Sequence, residues 1–207
     1  MATYHAVAAI GAAMVRLLTD AAQVEPDFAG GNFKLAHPSD FQGTLPGLGV
    51  LIFLYRVTPN MTRRNLPPRL LPNGRRTRPP LPVDLHFLLS PWATTADTQL
   101  RLLGWMMRTL DDTPVLPVGL LNSDEGSPEL ETFHSDETVE LVFETLTVQD
   151  QANLWEIVKP RTQAGATYVA RQVAIESSEP IVEAGPVQTR DFGYGKPIEQ
   201  VLLGARP

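Results

Sequence analysis

"LGVLIFLYRV", residues 48–57, is ten residues of almost unbroken apolar character, rich in branched and aromatic side chains. Glycines stand at its start and Pro59 lies just past its end. A run of this length and make-up fits a central strand covered on both faces better than a helix. Twenty-six residues further on, "VDLHFLLS" (83–90) alternates: Val83, Leu85, Phe87 and Leu89 fall on one side, Asp84, His86 and Ser90 on the other. Between these strands lies "TPNMTRRNLPPRLLPNGRRTRPPLP" (58–82), with six arginines, seven prolines and no acidic residue.

Outward from this pair, residues 4–22 read as an amphipathic helix, with Val7, Ile10, Met14, Leu17 and Leu18 at helical spacing among alanines. "EPDFAGGN" then breaks the pattern with Pro26, Gly30 and Gly31. "ADTQLRLLGWMMRTLD" (96–111) predicts the clearest helix, capped by Thr95. Its stripe is Leu100, Leu103, Met107 and Leu110, widened by Leu102 and Met106, and the run at 48–57 is its expected partner. Gly104 inside that stripe is expected to admit a close neighbour. "TPVLPVGLL" (113–121) reads as an extended edge or loop because of Pro114 and Pro117. "TVELVFETL" (138–146) predicts a strand with Val139, Leu141 and Phe143 on one face, and Glu140 and Glu144 on a solvated one. "TVQD" (147–150) starts a short helix through Leu154 and Trp155, and "ATYVARQVAIES" (166–177) is a last strand. Strands that follow one another directly, with helices interposed irregularly, indicate an α+β fold. The expected division is a domain over 1–176 and an extended strand or arm over 177–207.

The chain of 207 residues has no cysteine, which removes disulfides, thiolate chemistry and cysteine-based zinc sites. His5, His37, His86 and His134 form no metal-binding pairing in sequence, and no phosphate-binding glycine loop or nucleophile elbow occurs. No catalytic, cofactor-binding or metal-binding residue is therefore assigned, and a structural role is expected. His86 reads as a hydrogen-bonded sheet histidine beside Asp84. The first basic residue, Arg16, follows the N-terminal apolar stretch, the reverse of a secretory signal. With no run of 18 apolar residues, synthesis in the cytoplasm and no membrane partner are expected.

Charge is distributed unevenly. The net charge is −6, yet 58–82 carries six positive charges, while 124–156 carries ten acidic residues and no lysine or arginine. The loop could fold onto the acidic part of its own chain, where exposed pairs contribute only tenths of a kcal/mol, about 0.2–1 each. The net negative charge and the loop's lack of aromatic residues argue against nucleic acid. A third reading is assembly, in which the stiff positive segment of one subunit meets the negative segment of the next. The candidate partner-binding residues are Arg63, Arg64, Arg69, Arg75, Arg76 and Arg78.

Taken in order, "YRVTPNMTRRNLPPR", "LPVDLHFLLSPWA", "QLRLLGWMMRTLDDTPVL", "ETVELVFETLTVQDQANLWEIV" and "ATYVARQVAIES" resemble the tail-terminator, or cap, proteins of extracellular contractile injection systems, the phage-tail-like particles of the anti-feeding prophage and virulence cassette type. The similarity runs over roughly residues 4–190. It implies a mixed, mostly antiparallel sheet flanked by helices. It also implies a homo-oligomeric ring, expected to be a hexamer, that stops the inner tube and anchors the last ring of the sheath. The partners so implied are the chain itself, the tube protein and the sheath protein, within a particle that is released. A ring-forming connector elsewhere in a phage-like tail is the alternative, with an enzyme of unassigned class behind it.

Overall fold

A computed structural model describes residues 4–43, 47–63, 65–70, 74–122, 132–158 and 164–181. Helix α1 (Ala6–Gln23) leads into β1 (Asn32–Leu35), a short 3-10 turn (Pro38–Phe41) and the long strand β2 (Leu48–Pro59). The basic loop contains two short strands, β3 (Arg69–Leu70) and β4 (Arg76–Thr77), before β5 (Leu81–Ala93). Then follow α2 (Ala96–Asp112), β6 (Val115–Leu116), α3 (Val118–Leu121), β7 (Val139–Glu144), α4 (Val148–Val158) and β8 (Ala166–Ile175).

The main sheet has the order β1-β2-β5-β8-β7-β6. It is antiparallel except where β1 runs parallel to β2. The α+β class and the mixed, mostly antiparallel sheet are as the sequence implies. β1 and the β3–β4 hairpin are additions to the sequence reading, and α3 corrects it: residues 113–121, expected to be extended, are so only through β6 and then turn into a short helix after Pro117. All are too short for periodicity to register.

Two apolar layers sandwich the sheet. On one face Val50, Ile52, Leu85, Phe87 and Leu89 pack beneath Ile10, Met14 and Leu18 of α1 and Leu102, Met106 and Leu110 of α2. On the other, Leu51, Phe53, Leu88 and Trp92 meet Phe41 and Leu154. The run at 48–57 is thus buried on both sides in its first half, as its composition requires. α1 is the one described helix long and apolar enough to span a membrane, but its apolar side chains are built into this core.

The α2 stripe is rotated from the sequence expectation. Leu102, Met106 and Leu110, at i, i+4 and i+8, are buried, Leu103 and Met107 flank them, and Leu100 is 61% exposed. The helix packs chiefly on β5 instead of β2. Six apolar residues crowd one side of α2, so the sequence offered two adjacent stripes, and the sheet selects one. Gly104 is exposed with nothing within 4 Å of where a Cβ would sit, so it admits no close neighbour. Close approach occurs instead at Gly49 (φ 153°), where any Cβ would collide with the carbonyl of Asn32 on β1.

Candidate assembly surface

The basic loop leaves the end of β2 through a hydrogen-bonded bolt. Asn60, only 3% exposed, accepts the N–H groups of Thr62 and Arg63 on its Oδ1, both at 3.1 Å. Its Nδ2 donates to both oxygens of Asp84, at 3.0 and 3.1 Å, and its own N–H donates to Pro82 O at 2.9 Å. Asp84 sits at a bulge where the β5–β8 register shifts between Val83 and Leu85. Opposite it, Gln172 adopts φ 59°, a left-handed conformation unusual for a residue with a Cβ, and donates its N–H to Asp84 Oδ1 at 2.8 Å. Asp84 therefore joins the loop base to β8, and it does not pair with His86.

The loop itself is less extended than its prolines suggest. β3 and β4 pair Arg69 with Thr77 and Leu70 with Arg76. The chain after β8 runs alongside β4: Thr77 bridges Pro180, Arg78 N–H donates to Glu179 O at 3.1 Å, and Ile181 N–H donates to Arg76 O at 2.9 Å. Residues 179–181, near the start of the expected arm, thus border the two-stranded hairpin through one bridge and two backbone hydrogen bonds. Residues 182–207 lie outside the described residues.

The six candidate arginines divide. The Arg69 guanidinium pairs with Glu176, whose side chain is 7% exposed, and lies 3.8 Å from Glu137. It reaches into the acidic segment of its own chain and fastens the hairpin there. Arg63, Arg75, Arg76 and Arg78 are exposed along the hairpin and its base, and Arg64 lies outside the described residues. Four exposed apolar residues share this region: Val57, Met61, Leu70 and Leu81. Arginine interleaved with exposed apolar side chains is the composition of a protein-binding surface. The sequence reading names the arginines and not these apolar residues, of which Leu70 lies in the hairpin and Val57, Met61 and Leu81 on the elements that flank it.

Beside the loop base a cleft of about 420 Å3 is lined by Arg63, Arg171, Asp136, Glu137 and Glu140 over Phe133. His134, Glu137 and Glu176 also converge here, with ligand atoms within 4.8 Å of one another. Arg69 stands among them, so the cation balancing these carboxylates comes from the chain itself. The positive and negative segments set in opposition by the sequence therefore meet side by side at one end of the sheet.

A second polar cluster lies across the sheet face and was not anticipated. A bulge between Leu54 and Arg56 turns Tyr55 and Arg56 toward the face that carries His86. Glu144 accepts from Tyr55 Oη at 2.6 Å and from Arg56 Nη2 at 2.7 Å, and both its oxygens lie 3.0 Å from His86 Nδ1. His86 Nε2 lies 2.9 Å from Thr58 Oγ1, and Thr167 donates to Glu144 O at 2.8 Å. Burial, with the hydrogen bond to Glu144 behind it, raises the Tyr55 phenol well above its ordinary value. Glu144, read from sequence as one of two solvated carboxylates, is instead the hub tying β2, β5, β8 and β7 together. Glu144 and His86 are thus held by hydrogen bonds from neighbouring strands, and a hollow of about 220 Å3 opens beside Glu144 and Thr167.

Against known proteins, the sequence matches the family described as the Pvc16 N-terminal domain over residues 9–189. No curated protein matches it in sequence. Among solved structures, it overlays on the PVC sheath/tube terminator of an extracellular contractile injection system in the extended state, with a TM-score of 0.61 and 14% identity. That overlay covers 92% of this chain and 64% of the terminator, so the chain spans under two thirds of that protein's length. The tube-terminating cap of the anti-feeding prophage is also similar, at a TM-score of 0.45 and 13% identity over 71% of this chain and 50% of that one.

Proposed function

The chain belongs to the Pvc16 N-terminal domain family, and from that premise we propose that it is a structural cap of a contractile injection system. In this reading it forms a ring, a hexamer, at one end of the particle. There it ends the inner tube and anchors the last sheath ring, with no catalytic step. The observation that carries the proposal is the family match over residues 9–189, joined to a fold shared with a sheath/tube terminator over 92% of the chain.

Within the ring, the basic hairpin is assigned to contacts with a neighbouring subunit or polymer. Arg63, Arg64, Arg75, Arg76 and Arg78 supply the charge, while Arg69 holds the hairpin in place through Glu137 and Glu176. The facing surface would include exposed carboxylates of the acidic segment, Asp136, Glu140 and Asp150. Bidentate guanidinium–carboxylate bonds fix register between subunits. Attraction across such a contact is screened beyond about 8 Å at physiological salt.

Gold-labelled antibody against the protein, applied to purified particles, tests the role: label at one end only is expected. Label along the whole tube, or none on intact particles, would refute it. Charge reversal at Arg75 and Arg76 should leave a folded subunit that caps poorly, and capping by the native protein should weaken as salt rises. Normal capping by this double variant would return the loop to being solvated surface.

A further inference from the structure

Helix α4 is fastened to the sheet at few points. Of its residues 148–156 only Leu154 is buried, in the apolar layer that holds Phe41 and Leu88. A helix of eleven residues is marginal in water by itself and depends on packing along an apolar face. Val148, Ala152 and Trp155, at i, i+4 and i+7, make such a face, and it turns to solvent. Val148 is 86% exposed and Trp155 39%. The stripe continues onto the sheet edge. Trp155 and Gln151 border the hollow that Glu144 and Thr167 also line, and Phe143, 51% exposed, stands at the same hollow. The only formal charges on α4 are two carboxylates, Asp150 and Glu156. Exposed aromatic and aliphatic side chains gathered in one patch mark a protein contact.

The opposite make-up is found at the other end of the sheet. There Val57, Met61, Leu70 and Leu81 are exposed among arginines, and residues 58–82 hold no acidic residue. The two surfaces do not meet within one chain. Trp155 shares its hollow with Gly165 and Thr167 at the start of β8, whereas the hairpin lies past the end of β8, where Thr77 bridges Pro180. From Thr167 to Ile175 is about 26 Å of strand. Arg69, paired with Glu176, fixes the hairpin at its own end.

We propose that the patch formed by α4 and Phe143 on one copy of this chain receives the basic hairpin of the next copy. The inference rests on the ring-forming role proposed above and names the surface that the hairpin meets. Because hairpin and patch lie at opposite ends of β8, the contact is heterologous, the head-to-tail kind from which rings are built. Apolar side chains of the two copies exclude water. The Trp155 ring offers its face to a guanidinium, and the carboxylates flanking the stripe attract arginine. α4 gains the packed face that it lacks in the single chain.

Cross-linking within particles tests the proposal. Particles are produced with two distinguishably tagged forms of the full chain. One carries Ala152→Cys, and the other carries in turn Val57→Cys, Met61→Cys, Leu70→Cys or Leu81→Cys. The chain has no cysteine of its own, so a mixed dimer joined by a short bis-maleimide reports only these positions. At least one of the four pairs should give that dimer. If none links, or if Leu100→Cys on α2 links as well as they do, the proposal is overturned. Val148→Lys is the second variant: its side chain is exposed, so the subunit keeps its fold, and the added cation faces arginines. Capped particles should fall roughly tenfold or more; an unchanged yield would also overturn the proposal. A chain that caps particles without these links sinks this inference alone. A chain absent from the particles sinks the cap reading and this inference together.

Discussion

Replacing Asp84 with alanine removes the acceptor that joins the base of the arginine loop to β8. Two donors lose their partner: the Gln172 N–H at 2.8 Å and Asn60 Nδ2 at 3.0 and 3.1 Å. A hydrogen bond to a charged group contributes about 1.5–3 kcal/mol, and a buried donor left unpaired carries a desolvation cost of similar size. Asn60 is almost fully buried, whereas Asp84 keeps some contact with solvent, which lowers the sum. The expected loss is about 2–4 kcal/mol, with Asp84→Asn losing less because one acceptor oxygen remains. Urea unfolding followed by tryptophan fluorescence reads the stability, and hydrogen exchange at Thr62 and Arg63 reads the loop base. Both should respond. Gln172→Gly is the control: it relieves a left-handed residue at about 1–2 kcal/mol and loosens the unfolded chain by about 0.4–1, leaving stability nearly unchanged. A loss under about 1 kcal/mol for Asp84→Ala, with loop amides unaffected, would refute the bolt.

The rotated face of α2 predicts that Met106→Ala costs about 2–5 kcal/mol in chemical denaturation, while Leu100→Ala stays within about 0.5 kcal/mol of the native protein. Gly49→Ala should cost about 3 kcal/mol or more and detach β1, seen as loss of exchange protection at Phe33 and Leu35. Burial, with Asp111 nearby, raises the Tyr168 phenol to about 12. A raised phenol favours the protonated fold, so this stabilisation is complete below pH 10 and is lost as pH rises toward 12. Ultraviolet titration should find a late phenol that Tyr168→Phe removes; an unchanged titration curve would contradict the assignment.

What the sequence made legible follows from how strongly each segment is constrained. The run at 48–57 and the alternation at 83–90 identify a strand pair because period and burial agree over many residues. The α2 face was off by one stripe because Leu100 to Leu110 contains more apolar residues than the helix can bury. The two bulges, at Tyr55 and opposite Asp84, carry no composition signal. Each turns side chains to the other face, and so hid both the Glu144 hub and the Asn60–Asp84 bolt. The arginine loop is visible as charge, but its hairpin is bordered by residues 179–181, about a hundred positions away in sequence, and no local pattern encodes that pairing.

The central claim is that this protein sets where the particle ends. Its most direct test is the length distribution of tube–sheath particles, measured by electron microscopy, from cells producing all components with and without this chain. With it, lengths should form one narrow peak with a cap at one end. Without it, they should spread broadly, with bare tube ends or none assembled. The same narrow peak in its absence would contradict the account.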